Sequence, residues 1–299
     1  MAAKSQISST GILIGILGVI LFSTKAVLVK LAYLYEISSL ELLLFRMLFS
    51  LPVYIAILAL LPKRQKVPLE RKDVLWLLVF GFLGYYLASY FDFLGLNYIK
   101  AGLERIILFI YPTIVVLLSY LFFKDKLSKK QCISITITYL GVVITFWSEI
   151  DISGDKTLWG GFLVLLSAIT YASYIVGSGW LIPKYGVLRF TCYAMLVATC
   201  CVIVHYSVAE DWDLWHFPKE VYGYAIAMAI IATIIPSFLV SEAIKRLGAS
   251  NFSILGSVGP ISTILLAYVF LGERLTWLQL LGMSVVIFGV TVLSKQKKA

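Results

Sequence analysis

The chain has 299 residues, 61% of them apolar and only 14% charged, with a formal charge of +9. Soluble domains hold about 45–50% apolar and 25% charged residues, so a water-soluble globular class is excluded. A nucleic-acid partner is set aside too, because the Lys and Arg excess gathers in short connections between apolar runs, where orientation in a bilayer accounts for it.

Hydropathy and polar punctuation predict ten helices. The first, 11–31, follows the short start "MAAKSQISST" without a small-residue cleavage site and reads as a retained helix, not a removed signal peptide. The second, 39–61, leads into the basic connection "PKRQKVPLERKD" (62–73). Helices over 74–96 and 101–123 follow, then a second basic connection, "KDKLSKK" (124–130). The fifth, 131–148, ends at the mostly acidic "EIDISGDKT" (149–157). Helices over 158–181 and 187–208 precede the acidic "AEDWDLWHFPKE" (209–220), and 221–243, 249–271 and 276–294 complete the chain. Runs of about 20 apolar residues cover a hydrocarbon layer of about 30 Å at about 1.5 Å per residue. Such runs must be helical, since backbone facing lipid has to satisfy its amides within one segment.

The expected fold class is therefore an all-α polytopic membrane protein with ten transmembrane helices. Basic connections mark the cytoplasmic side, which places both termini inside, and the tail "KQKK" agrees. The plasma membrane, as a bacterial inner membrane, is the expected location. Cys132, Cys192, Cys200 and Cys201 all lie in apolar runs or at their ends, so they read as packing residues rather than a disulfide framework.

Shifting the chain by 148 residues aligns "YPTIVVLLSYLFFKDKLSKKQ" (111–131) with "GPISTILLAYVFLGERLTWLQ" (259–279) without a gap. Pro112 meets Pro260, Asp125-Lys126-Leu127 meets Glu273-Arg274-Leu275, Gln131 meets Gln279, and Gly141 meets Gly289. Two repeats follow: 1–148 and 158–299, joined by an external loop over 149–157. Each holds five predicted helices, an odd number, so the second is expected to enter the membrane from the side opposite to the first. The basic 62–73 and its acidic counterpart 209–220 fit that inversion. Inverted repeats with a site at their interface suit carriers that work by alternating access.

With its mid-helix proline followed by "GERLTWLQLLG" in the second half and the degraded "KDKLSKKQ" in the first, the chain resembles the EamA-type family of the drug/metabolite transporter superfamily over nearly its whole length. Lys124 replaces the glycine of the "GER" pattern in the first half, and Phe22-Ser23 replaces an aromatic–glycine pair. The resemblance implies ten helices around a central cavity lined mainly by the first, third, fourth, sixth, eighth and ninth, and movement of small organic metabolites.

Charges inside spans cost about 2.5–3.5 kcal/mol each on insertion scales and normally face protein, water or a partner. By helix rise, Asp92, Glu104 and Arg105 come to similar heights where they can meet, and Lys25 and Arg46 lie near one another in depth. Tyr85, Ser89 and Asp92 share one helical face, as do Ser167, Tyr171, Tyr174 and Ser178. The repeat sets Tyr174 against Lys25, Ser253 against Arg105 and Ser237 against Ser89. The candidate substrate-binding residues are Lys25, Arg46, Tyr85, Ser89, Asp92, Glu104, Arg105, Tyr111, Tyr171, Tyr174, Ser237, Ser253 and Ser257. The alternative is that the five charges are structural ion pairs. Lys30, Glu41 and Lys100 read as interfacial, snorkelling charges, and Glu242 as an interfacial charge or part of an inner gate. Pro112 and Pro260, beside Tyr111 and "GSVGP" (256–260), are candidate hinges.

The expected activity is secondary transport of a small, carboxylate-bearing or amino-acid-like metabolite, exported or taken up. Proton coupling through Asp92 or Glu104 is expected at most, with no other cofactor and no metal. An intramembrane enzyme is disfavoured, because His205 and His216 sit in no HExxH arrangement and no GxSxG is present. A channel and a non-transporting membrane partner are the remaining alternatives. The oligomeric state is not readable.

Overall fold

A computed structural model describes residues 9–61, 68–99, 101–124, 128–147, 156–271 and 276–294. Among them every regular element is a helix, with no strand. The order is α1 (Ser9–Tyr33), α2 (Ser39–Leu60), α3 (Arg71–Leu96), α4 (Ala101–Leu108), α5 (Tyr111–Phe123), α6 (Lys129–Phe146), α7 (Thr157–Tyr185), α8 (Val187–Ala209), α9 (Lys219–Leu247), α10 (Ala249–Leu255), α11 (Val258–Leu271) and α12 (Trp277–Ser294). Among the described residues, seven helical stretches are long and apolar enough to cross a membrane: α1, α2, α3, α7, α8, α9 and the α10–α11 stretch. The outward faces are greasy, with Leu13, Val208, Phe270 and Trp277 exposed, while Lys25, Arg46, Asp92 and Glu104 are buried. That inverts the soluble pattern and is what lipid as solvent requires. The molecule is a multi-pass membrane protein.

Helix starts are fixed locally. Ser38 accepts from the Glu41 amide while the Glu41 carboxylate accepts from the Ser38 amide, a reciprocal cap at α2. Ser128 with Gln131 and Thr276 with Gln279 do the same at α6 and α12. Two reversals use a single glycine: Gly186 (φ 78°) between α7 and α8, and Gly248 (φ 81°) between α9 and α10. With ψ near 160° at both, that backbone region is open essentially to glycine alone.

The predicted helices over 101–123 and 249–271 are each interrupted, at 109–110 and 256–257. The cause is the proline that follows. Pro112 and Pro260 have no N–H to bond the carbonyl four residues back, so Pro112 sits in the first turn of α5 and Pro260 near the start of α11, where the missing donor costs nothing. Wide π turns interrupt α3 at Phe82–Leu87 and α9 at Ile230–Ile234.

In packing, α1 lies on α9 and α11, α2 on α8, and the last part of α3 on α7. The closest pair is α6 with α12. There Ser134 Oγ donates to the Gly289 carbonyl at 2.7 Å, and a side chain at Gly141 would meet the Val286 backbone at 2.7 Å. Lys100, Asp125-Lys126-Leu127, the loop 149–155 and the tail "KQKK" lie outside the described residues, and so do Glu273-Arg274-Leu275 within 272–275.

Candidate functional site

A cavity of about 60 Å³ lies at the centre of the bundle. It takes Phe22, Ser23 and Lys25 from α1, Gly84 and Ser89 from α3, Arg105 from α4, Tyr111 from α5, Ser167 and Tyr171 from α7, Val240 from α9, and Phe252 and Gly256 from the α10 end. Its walls are aromatic: Phe22 stacks on Tyr171 at 6.0 Å between ring centres, and Tyr111 meets Tyr171 edge-on at 5.4 Å. Two cations, Lys25 and Arg105, supply its charge.

Behind that wall sits an ionic cluster. Lys25 Nζ contacts Asp92 Oδ2 at 2.6 Å, both side chains buried. Arg105 Nε approaches the neighbouring Glu104 Oε2 at 3.0 Å. Neither contact has hydrogen-bond alignment: both oxygens of Asp92 and of Glu104, and Nε and Nη2 of Arg105, have no hydrogen-bond partner among the described residues. The Glu104 and Asp92 carboxylates face one another within the cluster. Arg46 is fully buried, 5.2 Å from the centre of the Phe93 ring, and none of its three guanidinium nitrogens has a partner among the described residues.

Close approach explains two glycines. A Cβ on Gly256 would run into the Tyr111 hydroxyl, and one on Gly84 into the Tyr174 ring. With Gly256 bare, Tyr111 Oη reaches across to donate to the Ser253 carbonyl at 3.3 Å. Tyr85 meets Tyr174 edge-on at 5.0 Å inside the π turn of α3, and the Tyr174 hydroxyl has no hydrogen-bond partner among the described residues.

A second, larger cavity of about 570 Å³ lies where the end of α5, the start of α6, Pro183 of α7 and the Gly248 reversal come together. Ser119, Gln131, Gly179, Trp180 and Asn251 are among its lining residues, and Gln131 Nε2 donates to Asn251 Oδ1 at 2.9 Å. Along α5, α7 and α10 the linings of the two cavities follow one another, from Tyr111 to Val116, from Tyr171 to Val176 and from Phe252 to Asn251.

The structure thus gathers Lys25, Ser89, Arg105, Tyr111 and Tyr171 on the central cavity, with Pro260 at its edge. Asp92, Glu104 and Arg46 stand outside its lining, and so do Tyr85 and Tyr174. Three serines are satisfied within their own helices: Ser237 Oγ donates to Ile234 O and meets Tyr54 Oη, Ser253 Oγ donates to Ser250 O, and Ser257 Oγ to Ile254 O. Lys30 donates to the carbonyls of Leu96 and Ile99, closing the end of α3, and Glu41 serves the α2 cap, so both have partners more specific than the lipid interface. Glu242 pairs with Arg246 one helical turn on. Phe109 and Phe252 escaped sequence reasoning, because an apolar ring that lines a cavity and one that faces lipid look alike in hydropathy.

A multi-pass helical bundle enclosing a charged, aromatic-walled cavity defines a membrane transport protein. The EamA-like transporter family profile matches the chain twice, over residues 9–147 and 158–295, and the chain belongs to that family. It is 28% identical to the uncharacterized transporter YcbK of Bacillus subtilis (strain 168), over 99% of this chain and 96% of that one. An uncharacterized transporter of Synechocystis is 24% identical over 99% of this chain and 97% of its own length. A solved crystal structure of a protein superposes with a TM-score of 0.78 at 17% identity, covering 97% of this chain and 99% of that one, a likeness of fold.

Proposed function

We propose that this transporter is a secondary carrier that moves a small, carboxylate-bearing organic metabolite across the plasma membrane by alternating access, in the direction of export. In this reading ten helices cross the bilayer as two five-helix repeats of opposite sense, with both termini cytoplasmic. The recurrence of the π turns at 82 and 230, of the interruptions beside Pro112 and Pro260, and of the caps at Ser128 and Thr276 supports the repeat. The single observation that carries the cargo class is that Lys25 and Arg105 both line the central cavity among aromatic rings. Two cations at one wall suit a carboxylate, and rings opposite suit its apolar body.

Tyr111 serves as the inner gate, its hydroxyl latched to Ser253 between the small cavity and the large vestibule. The interruptions at 109–110 and 256–257, with Pro112 and Pro260 as hinges, let α5 and α10 swing apart there. Glu104, fully buried beside Asp92, is the carboxyl group proposed to carry a coupled proton.

Counterflow into proteoliposomes holding the full-length protein, run over a panel of carboxylates, amino acids and neutral analogues, tests the cargo class. Saturable exchange confined to carboxylates is expected, and exchange of neutral analogues alone refutes it. Glu104→Gln should abolish accumulation driven by a pH gradient and leave counterflow intact. Cysteine labelling that finds 62–73 and 209–220 on one surface ends the inverted topology.

A further inference from the structure

Five ionisable side chains are buried together and do not balance: Lys25, Arg46 and Arg105 against Asp92 and Glu104. Lys25 holds Asp92, Arg105 touches Glu104, and Arg46 is the cation left over. An uncompensated charge in a low-dielectric interior costs several kcal/mol. A side chain kept there at such expense points to a partner that it gains in another state.

The geometry singles out that partner. Lys25 Nζ and the Arg46 guanidinium carbon lie 5.9 and 5.2 Å from the centre of one ring, Phe93, the residue next to Asp92. The Asp92 carboxylate is within electrostatic reach of Arg46. Of the three, Lys25 alone lines the cavity, while Asp92 and Arg46 stand behind the wall.

We propose that Arg46 is the relief partner of Asp92: when a carboxylate in the cavity takes the Lys25 ammonium, Asp92 passes to the Arg46 guanidinium. The exchange rests on the reading that the cargo carboxylate binds at Lys25. With that carboxylate present, three cations face three anions, and without it the leftover charge rests on the Arg46 fork against a ring face. Arg46 is thus a positioning residue. It never touches the cargo, yet it sets how readily Lys25 is released to bind it. The fork of five N–H donors suits this task, since it accepts a carboxylate in two parallel hydrogen bonds.

Calorimetric binding of acetate, pyruvate and benzoate to the purified full-length protein tests the exchange. Arg46→Gln leaves Lys25 locked on Asp92 and should weaken the best-bound probe by at least about tenfold. Adding Asp92→Asn frees Lys25 again and should restore affinity to within about threefold of wild type, a rescue that a merely structural arginine does not give. Unaltered affinity in Arg46→Gln, or no recovery in the double variant, overturns the exchange and leaves the carboxylate reading standing. Wild type that binds none of the three probes, or Lys25→Gln that binds as tightly as wild type, overturns the carboxylate reading and the exchange with it. Should Arg46→Gln fail to fold, Asp92→Asn alone decides: binding at least as tight as wild type is expected, and weaker binding overturns the exchange.

Discussion

Residues 82–87 and 230–234 form the same kind of wide turn, 148 residues apart, and the interruptions before α5 and before α11 sit at matching places. At the same offset Asp92, Glu104 and Arg105 of the first half fall on Val240, Phe252 and Ser253, while at an offset of 149, which fits the first helix, Lys25 falls on Tyr174. The mechanical parts are duplicated and the charges are not. The π turns, the prolines at 112 and 260 and the caps at Ser128 and Thr276 recur in both copies. Ionisable groups need each other as partners, so one copy could lose them together and fill the space with rings and hydroxyls. A cavity walled by charge on one side and by neutral side chains on the other is the result.

Substitutions can break that contrast. The largest effect is expected for Lys25→Gln and Arg105→Gln, each lowering proteoliposome counterflow by about a hundredfold, in the range for losing a desolvated charge contact. Their neutral counterparts, Tyr174→Phe and Ser253→Ala, should stay within about threefold, since Ser253 offers its carbonyl rather than its hydroxyl to Tyr111. Equal losses in both halves would erase the chemical asymmetry. A smaller effect is expected for Gly256→Ala, whose new methyl meets the Tyr111 hydroxyl: a cost of about 1–3 kcal/mol, read as slowed counterflow and partly relieved by adding Tyr111→Phe.

The two single-glycine reversals both lie in the second half, with no glycine at the matching places in the first. Gly186→Ala and Gly248→Ala should each cost about 1–3 kcal/mol, seen as lower melting temperatures in detergent, because both reversals need a region closed to alanine. The duplicated caps predict symmetry instead. The smallest change is expected for Ser128→Ala and Thr276→Ala, about 1 kcal/mol each and similar to one another. A cap that matters in one half only would show that the repeats have diverged in mechanics as well.

Helix positions were readable from hydropathy because lipid imposes one simple demand, an apolar run with internally bonded backbone. Observed ends such as Ser39–Leu60 and Val187–Ala209 fall within a residue or so of the expected ones. Relative height along neighbouring helices was readable too, since rise per residue is constant, and Lys25 and Asp92 do meet. Rotation about each helix axis was not. Height alone allowed Asp92 to meet Arg105, whereas the fold gives it to Lys25, and it gave no sign that Arg46 stands outside the cavity lining. Nor could sequence show that the Ser237 and Ser257 hydroxyls each turn back to donate to the carbonyl three residues earlier. The helix interruptions were read as bends because a proline signals a lost hydrogen bond without saying how far the neighbouring turns open.

The α6–α12 pair has a mechanical consequence. Gly141 and Gly289 let backbone approach backbone, and Ser134 pins one helix to the other, so at these positions the two rods meet with no room for a side chain between them. They form a stiff strut at the flank of the bundle, a fixed frame against which the segmented helices α4–α5 and α10–α11 flex.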